Sequence, residues 1–347
     1  MGALGRPGGA QVRMRVLIVK LSSLGDVVHA MPAVQDIRRA RPDAVIDWVV
    51  EQGFAPLVQR CEGVARVIPC ELRRWRKSAL SRQTRHEWRA FREALQHEAY
   101  DAVIDLQGLT KSALVAHTAR LAPGGKRYAL ANQTEGSGYE APTRWVADVA
   151  VRVETRIHAV DRSRQLCARA LGYTPGPAEH FGLLARGAAG SAAGQEVALV
   201  HGTSRDDKLW PEAHWVALGR RLASAGFALG LPHGSEAERA RSERLAAALG
   251  AAARVWPRLD LGLLADRLAG CAGVVGVDSG LSHVATALDR PHVQVYNFDT
   301  AWRTGPVGRP RQVAVYAAPT PAVDAVWQAW QTVHGAAGAG VGGAQAL

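Results

Sequence analysis

Residues 14–33 read MRVLIVKLSSLGDVVHAMPA, and this stretch decides the fold. The run from Val16 to Val19 is apolar and mostly β-branched, which is typical of a strand buried on both faces. A turn of small residues, Leu21 to Gly25, follows it, and a helical pattern then continues from Asp26 to Arg39. A buried strand, a short turn and a helix predict the opening of a parallel, doubly wound α/β sheet.

The same alternation recurs in both halves of the chain. Further strands are predicted at Val45 to Val50, Tyr100 to Asp105, Val197 to Val200, Phe227 to Leu231, Val274 to Val277 and His292 to Tyr296. We therefore predict an N-terminal α/β domain at 14–172, a linker at 173–195, a C-terminal α/β domain at 196–320 and a final helix at 321–334. Residues 1–13 and 335–347 are predicted to be disordered. Two such domains in tandem enclose a cleft, where ligands usually bind.

Composition restricts the class of protein. The 347 residues include 42 Lys and Arg against 31 Asp and Glu, and the net charge of +11 indicates an anionic partner such as a nucleotide, a nucleic acid or an acidic membrane surface. No apolar run approaches the roughly 18 to 20 residues of a membrane span, and the first 13 residues lack the apolar core of a secretory signal. We therefore expect a cytoplasmic protein. The four cysteines are widely scattered, which favours small core residues over a zinc site or disulfides.

The first turn, Lys20 to Asp26, can present backbone amides to an anion or an acceptor hydroxyl. It matches neither GxGxxG nor GxxxxGK[ST], so it lacks the signature of a dinucleotide or Walker-type nucleotide site. Asp26 has two possible roles, as a helix cap and as a general base. From the residues alone, the cap is the favoured role.

Two turns in the second half suit phosphates. Thr203, Ser204 and Lys208 follow a strand and offer hydroxyls and a cation, although a solvated polar turn fits them equally well. Asp278 to Gly280 lies at another junction of strand and helix, where amides can meet a diphosphate and Asp278 can accept sugar hydroxyls. A hydrolase with Ser279 as nucleophile and His283 as base is disfavoured, because Val277 stands where the G-x-S-x-G motif requires glycine.

The segment from Arg73 to Glu93 holds eight basic and two acidic residues. Trp88, Phe91 and Leu95, just beyond the segment, form one apolar helical stripe. A solvated basic face is the usual outcome for such a segment, yet its cations also suit phosphates or carboxylates. The segment lacks a known nucleic-acid motif, whereas a membrane surface or an acidic glycolipid fits its charge.

Taken together, these motifs resemble heptosyltransferase I of the family 9 glycosyltransferases, from about Met14 to Val333. The matching stretches are MRVLIVKLSSLGDVVHAMPA at 14–33, DWVVEQGFA at 47–55, VIPCELRRWRK at 67–77, FREALQHEAYDAVIDLQGLTKSA at 91–113, TSRDDKLWPEAHW at 203–215 and VDSGLSHVATALDRP at 277–291. SxxGD and D-[ST]-G-x-x-H are shared across the heptosyltransferases. DWVVE, RRWRK and RDDKxWP look particular to type I.

The resemblance implies a GT-B fold, two Rossmann-like domains facing a cleft, and an inverting enzyme. It would transfer L-glycero-D-manno-heptose from ADP-heptose to the Kdo of Kdo-lipid A, with Asp26 and Lys208 catalytic and no obligatory metal or other cofactor. The implied donor-binding residues are Thr203, Ser204, Lys208, Glu238 on ribose, Leu259 at adenine, Asp278 on heptose, Ser279, Gly280 and His283. The implied acceptor-binding residues are Ser22, Ser23, Gly25 and a basic loop of Arg73, Arg74, Arg76 and Lys77.

The resemblance also implies peripheral contact with the cytoplasmic face of the inner membrane, and no nucleic-acid partner. The alternatives are heptosyltransferase II or III, a GT-B sugar-nucleotide epimerase and a basic nucleic-acid-binding module. Two segments depart from the family pattern. The turn Asn297 to Thr300 replaces a Gly-Pro-Thr type turn, and Ala129 to Arg144 matches poorly, so no contacts are carried over to either segment.

Overall fold

A computed structural model describes residues 13–177, 180–186, 195–306 and 310–339 of the chain. Within these residues the strands are β1 Arg15–Val19, β2 Val45–Glu51, β3 Val64–Cys70, β4 Tyr100–Asp105, β5 Leu121–Leu130, β6 Val149–Val151, β7 Glu196–Val200, β8 Ala228–Leu231, β9 Ala253–Val255, β10 Gly273–Val277, β11 His292–Tyr296 and β12 Gln312–Tyr316. The helices are α1 Leu24–Ala40, α2 Ala55–Val58, α3 Leu72–Lys77, α4 Arg82–Gln96, α5 Thr110–Thr118, α6 Thr143–Val146, α7 Ala159–Leu171, α8 Glu212–Ser224, α9 Glu236–Leu249, α10 Leu261–Ala269, α11 Gly280–Ala287, α12 Ala301–Thr304 and α13 Val323–Ala339.

The described strands form two parallel six-stranded sheets. Their orders are β3-β2-β1-β4-β5-β6 and β12-β11-β10-β7-β8-β9. Counted from its own first strand, each sheet therefore has the order 3-2-1-4-5-6, the doubly wound order that binds ligands at the carboxyl ends of its strands. The prediction of two doubly wound α/β domains is confirmed.

The apolar run that opened the chain is buried on both faces of its sheet. Val16 and Ile18 join a core with residues of α1 and α7, whereas Leu17 and Val19 join a second core with residues of α4 and α5. All four side chains have no exposed surface. Because a strand presents alternate residues to opposite faces, only a run that is apolar throughout suits this central position.

The two domains meet along α1 and α11. A Cβ added to Gly25 would lie 2.7 Å from the imidazole of His283, and a Cβ on Gly280 would lie 2.7 Å from Leu24. Both positions therefore need glycine to allow this approach. Arg60 and Asp266 form a salt bridge of 2.7 Å across the same boundary. These contacts bring the carboxyl ends of the two sheets together.

Three features differ from the predictions: the linker, the end of the last helix and the basic segment. The predicted linker packs against the first domain where it is described, because Phe181 and Leu183 are buried and Leu183 forms a β-bridge with Cys61. The last helix runs to Ala339, so the disorder predicted from residue 335 is wrong for 335–339, where the helix simply continues. Residues 1–12 and 340–347, also predicted to be disordered, lie outside the described residues.

The basic loop at Arg73 to Lys77 lies on the short helix α3, so the description of it as a loop is also wrong.

Candidate active site

A cavity of about 220 Å³ lies between the carboxyl ends of the two sheets. Both domains line it, and its polar wall contains Asp26 from the first domain and Asp278 from the second. The other lining residues are Lys20, Ser23, Gly25, His29, Gln107, Glu135, Gly136, Ser137, Gly138, Ile157, Ala159, Arg162, Ser204, Lys208, Ser279, Gly280, His283, Arg303 and Thr304. The cavity thus joins most of the predicted catalytic and phosphate-binding residues in one place.

Asp26 is held by both of its oxygens. Its Oδ2 accepts hydrogen bonds from the Ser23 backbone N–H at 3.2 Å and the Ser23 hydroxyl at 2.9 Å, which completes a capping box at the start of α1. Its Oδ1 accepts from Lys20 Nζ and from Arg162 Nη2, each at 3.4 Å. The cap is therefore real, but it uses one oxygen and leaves the other among cations in the cavity.

The cations around Asp26 keep it ionised. Burial alone would raise the pKa of the carboxyl, but the charges of Lys20 and Arg162 and the hydrogen bonds from Ser23 outweigh burial and hold the pKa well below its ordinary value. Lys20 is itself buried, which lowers the pKa of its ammonium group, and Asp26 partly offsets that effect. Lys20 also donates to the Leu106 carbonyl at 3.0 Å, which fixes the ammonium group in place.

Asp278 is the matching carboxylate of the second domain. Lys208 Nζ donates to its Oδ2 at 2.6 Å, and His283 Nε2 lies 3.5 Å from its Oδ1. Burial would raise the pKa of Asp278, but His283 and Lys208 hold it well below its ordinary value. The Thr203 hydroxyl donates to the Asp278 carbonyl at 3.0 Å. Three of the residues predicted to bind the donor, Thr203, Lys208 and His283, thus surround Asp278.

Three histidines pack where the domains meet. His29 on α1 lies 4.3 Å from His283 and 5.9 Å from His158, measured between ring centroids. Burial, followed by the neighbouring His283 and His158, holds the pKa of His29 well below its ordinary value. His29 is therefore neutral near pH 7, and its uncharged ring packs against the ring of His283.

A second cavity of about 510 Å³ adjoins the first. Glu238 and Leu259 line it, together with Thr203, Ser204, Ser279 and Gly280. Glu238 also caps α9, since its Oε2 accepts from the backbone N–H groups of Gly234 at 2.7 Å and Ser235 at 3.1 Å. Leu24 and Phe54 of the first domain line the same cavity, so both domains would contact a nucleotide bound there.

The predicted acceptor residues separate into two groups. Arg73 Nη2 donates to the Ser22 hydroxyl at 3.4 Å, and so does Lys111 Nζ at 3.2 Å. Two cations therefore converge on the turn that carries Asp26. Arg74 instead forms ion pairs with Glu71 and Glu87, which fasten α3 to α4. Arg76 and Lys77 are exposed on the same short helix.

Several residues of this region carried no predicted role. Lys20, which stood in the quoted turn, and Arg162, which is 136 residues away from Asp26 in sequence, are both bonded to the Asp26 carboxylate. Arg303 reaches the Gly136 carbonyl from the other domain. Lys111 lies in the stretch 91–113 that matches the family. A lysine in that matching stretch was the feature of the sequence that could have indicated its role.

The unusual turn at Asn297 supports Lys208. Asn297 Nδ2 donates to the carbonyls of Asp207 at 3.0 Å and Leu209 at 2.9 Å, the two neighbours of Lys208 in sequence. Its Oδ1 accepts from the Thr320 hydroxyl at 2.8 Å. This departure from the family pattern is therefore hydrogen-bonded to the backbone on either side of Lys208.

Two absences in the described part of the chain concern metal ions and membrane spans. No three His, Cys, Asp or Glu side chains there are grouped so that they could hold a metal ion. None of the helices there is both long and apolar enough to span a bilayer. All four cysteines are unpaired and buried, as predicted.

Comparison with known proteins identifies the family. The model of glycosyltransferase family 9 (heptosyltransferase) matches residues 88–326. Lipopolysaccharide heptosyltransferase 1 of Escherichia coli K12 is 44% identical over 294 residues, which cover 82% of this chain and 88% of that protein. The chain belongs to glycosyltransferase family 9. The predicted family is thus confirmed, and the hydrolase, epimerase and nucleic-acid-binding alternatives fall away.

Solved structures of the same family confirm the predicted GT-B fold. The E. coli heptosyltransferase WaaC with ADP superposes with a TM-score of 0.81 at 38% identity, covering 91% of this chain and 98% of WaaC. A structure of WaaC with ADP-2-deoxy-2-fluoro heptose superposes with a TM-score of 0.78 and the same identity and coverage. The chain is therefore a glycosyltransferase, whereas the roles of its individual site residues remain predictions.

Proposed function

We propose that this enzyme transfers L-glycero-D-manno-heptose from ADP-heptose to the Kdo of Kdo-lipid A, the type I reaction of lipopolysaccharide inner-core synthesis. One observation carries the mechanism: Asp26 and Asp278, from opposite domains, line a single cavity and are both ionised. One carboxylate can serve the acceptor and the other the donor sugar. The 44% identity to a protein named lipopolysaccharide heptosyltransferase 1 supports type I over types II and III.

Asp26 acts as the general base in this proposal. The acceptor hydroxyl attacks the anomeric carbon of heptose, its proton passes to Asp26, and the bond from that carbon to the ADP oxygen breaks. A single displacement inverts the anomeric centre. The low pKa of Asp26 keeps its carboxylate ionised and able to accept a proton. The acceptor hydroxyl would donate to Oδ1, which Lys20 and Arg162 hold in place at 3.4 Å.

Lys208 stabilises the leaving group. It pairs with Asp278 at 2.6 Å, and about a fifth of its side chain is exposed. When the heptose hydroxyls take over Asp278, the ammonium group can turn to the diphosphate, whose negative charge grows as the glycosidic bond breaks. Ser279 and Gly280 at the start of α11 offer backbone amides to the same phosphates. Glu238 and Leu259 then hold the ribose and the adenine in the second cavity.

Arg73 and Lys111 orient the acceptor. Both already donate to the Ser22 hydroxyl, four residues before Asp26. A Kdo carboxylate bound there would satisfy both cations and bring a Kdo hydroxyl to Asp26. We include Lys111 with Ser22, Ser23, Gly25, Arg73, Arg74, Arg76 and Lys77 as acceptor residues. The enzyme would work at the cytoplasmic face of the inner membrane, in peripheral contact with it, without nucleic acid or an added cofactor.

The test is ADP release from ADP-heptose with and without Kdo-lipid A. We expect release that depends on the acceptor and a product heavier by one heptose in mass spectrometry, in buffer with a metal chelator. Release without acceptor would indicate hydrolysis. A reaction that required an acceptor already carrying one heptose would assign the enzyme to type II and overturn the proposal.

A further inference from the structure

A groove of about 620 Å³ lies beside α3, α4 and α5, outside the cleft. Its floor is apolar and consists of Leu72, Trp75, Trp88 and Leu114. Trp75 is 7% exposed and belongs to the core beneath the groove, and Leu72 and Trp88 pack against that core. Grooves of this volume and lining can bury a chain-like apolar ligand.

Cations surround the groove. Arg76, Arg85, Arg89, Arg92 and Lys111 line it, and Glu93 is the acidic residue among its lining side chains. The four arginines are exposed and their charges are therefore available to a partner. An apolar floor under a cationic rim fits an amphiphile with an anionic head, because each part of the ligand meets its complement.

Two leucines at this surface are unusually exposed. Leu80, between α3 and α4, is 92% exposed, and Leu114 on α5 is 51% exposed. In water each leaves apolar surface unburied. In the interfacial region of a bilayer the same side chains would be transferred to hydrocarbon, which stabilises the bound state.

We propose that this face docks on a bilayer containing anionic phospholipid, with one phospholipid acyl chain in the groove and the headgroup phosphate on the arginine rim. The proposal rests on the proposed function in one respect, a membrane-embedded acceptor, and it identifies the surface that meets that membrane. The same cations could bind single-stranded nucleic acid. The rings argue against it, since Trp75 packs edge-to-face on Trp88 at 5.8 Å and against Phe91 at 5.6 Å, so these rings are engaged with one another.

The first experiment is cosedimentation with vesicles of phosphatidylcholine alone or mixed with phosphatidylglycerol. We expect the wild type to bind the mixed vesicles with salt-sensitive affinity. Leu80→Asp/Leu114→Asp should lower that affinity by about tenfold or more, since two apolar contacts are lost and two negative charges face the anionic lipid. Leu263→Asp is the matched control, because Leu263 is 50% exposed on α10, away from the groove. Equal binding by the double variant and the control would overturn the proposal.

The second experiment asks whether an acyl chain enters the groove. Phosphatidylglycerol with brominated acyl chains quenches tryptophan on contact. We expect quenching in the wild type that is largely lost in Trp75→Phe/Trp88→Phe, a variant that should bind vesicles normally. Undiminished quenching in that variant, or displacement from vesicles by an oligonucleotide that binds more tightly, would contradict the assignment.

Turnover with a deacylated, water-soluble acceptor is measured for every variant. Unchanged turnover in Leu80→Asp/Leu114→Asp shows that it is folded, so that weaker vesicle binding is attributed to the surface. If the wild type bound vesicles as expected but transferred no heptose, the proposed function would fail while the docking surface stood.

Discussion

The two domains share one strand order, yet they hold their carboxylates in different ways. Asp26 is bonded by Lys20 and Arg162, which are 1% and 8% exposed. Asp278 is bonded by Lys208, which stands on a short turn and is partly exposed, and by His283. Both carboxylates have a depressed pKa. The cations at Asp26 are built into the core, whereas Lys208, in the proposed mechanism, leaves Asp278 for the diphosphate.

This difference matches the two tasks proposed for these residues, proton acceptor and stabiliser of the leaving group. A base must stay in one position and one charge state until the acceptor arrives, which buried partners ensure. A cation that follows the developing charge of a leaving group must exchange partners during the reaction. Substitutions around Asp26 should therefore lower turnover and change its pH dependence. Substitutions around Asp278 should weaken donor binding as well.

The largest effect is expected for Asp26→Asn. Asparagine still has an oxygen for the Ser23 hydrogen bonds of the cap, but it cannot accept the acceptor proton. Turnover at saturating substrates should fall by about 10²-fold or more, the usual contribution of a general base, while donor affinity is kept. Steady-state kinetics and calorimetry with ADP-heptose measure the two quantities, with Asp43→Asn as an exposed control. Turnover near that of the wild type would remove Asp26 from the role.

Lys208→Ala tests the mobile cation. It should lower kcat/KM for ADP-heptose by roughly 10²-fold, through weaker binding and a slower chemical step, because a positive charge on the diphosphate is lost. The exposed Lys126 on β5 supplies the control Lys126→Ala. An unchanged donor dissociation constant together with unchanged turnover would show that Lys208 does not bind phosphate.

Arg162→Met tests the fixed cations. Arg162 helps to hold the pKa of Asp26 below its ordinary value, so its removal should raise that pKa. The base is active when ionised, so the acid limb of the pH profile of kcat/KM should move to higher pH. The loss of turnover near pH 7 should be smaller than in Asp26→Asn. A limb that stayed in place while activity fell would indicate that Arg162 only supports the packing of α7.

The sequence predicted the strands of both domains and the turns that carry Asp26 and Asp278. It predicted the contacts between side chains of different elements less well. The run Val16 to Val19 predicts its strand because burial on both faces demands apolar residues throughout. β5 was missed because Pro123, Gly124 and Gly125 interrupt its pattern, and β12 because it alternates weakly at a sheet edge. The contact of Arg162 with Asp26 depends on how α7 packs on α1, which no local pattern encodes.

The smallest effect is expected for Asn297→Ala, which acts on Lys208 indirectly, through the backbone of its turn. The substitution removes two hydrogen bonds to the backbone on either side of Lys208. A typical hydrogen bond contributes about 1 kcal/mol. Because water partly replaces both bonds on this turn, we expect their combined loss to raise KM for ADP-heptose about fivefold. The acceptor KM should stay the same, because the hydrogen bonds of the Asn297 side chain to Asp207, Leu209 and Thr320 all lie within the second domain.

The control for Asn297→Ala is Arg205→Gln, which breaks the exposed Arg205 to Asp207 pair on the same turn and should change little. Water readily replaces the partners of an exposed ion pair. The Asn297 amide instead donates to the carbonyls on both sides of Lys208 and so fixes the position of the turn. Equal effects of the two substitutions would mean that the turn is not braced through Asn297. Lys208 would then be positioned by its ion pair with Asp278 alone, and the contrast between a fixed and a mobile cation would be sharper than the structure indicates.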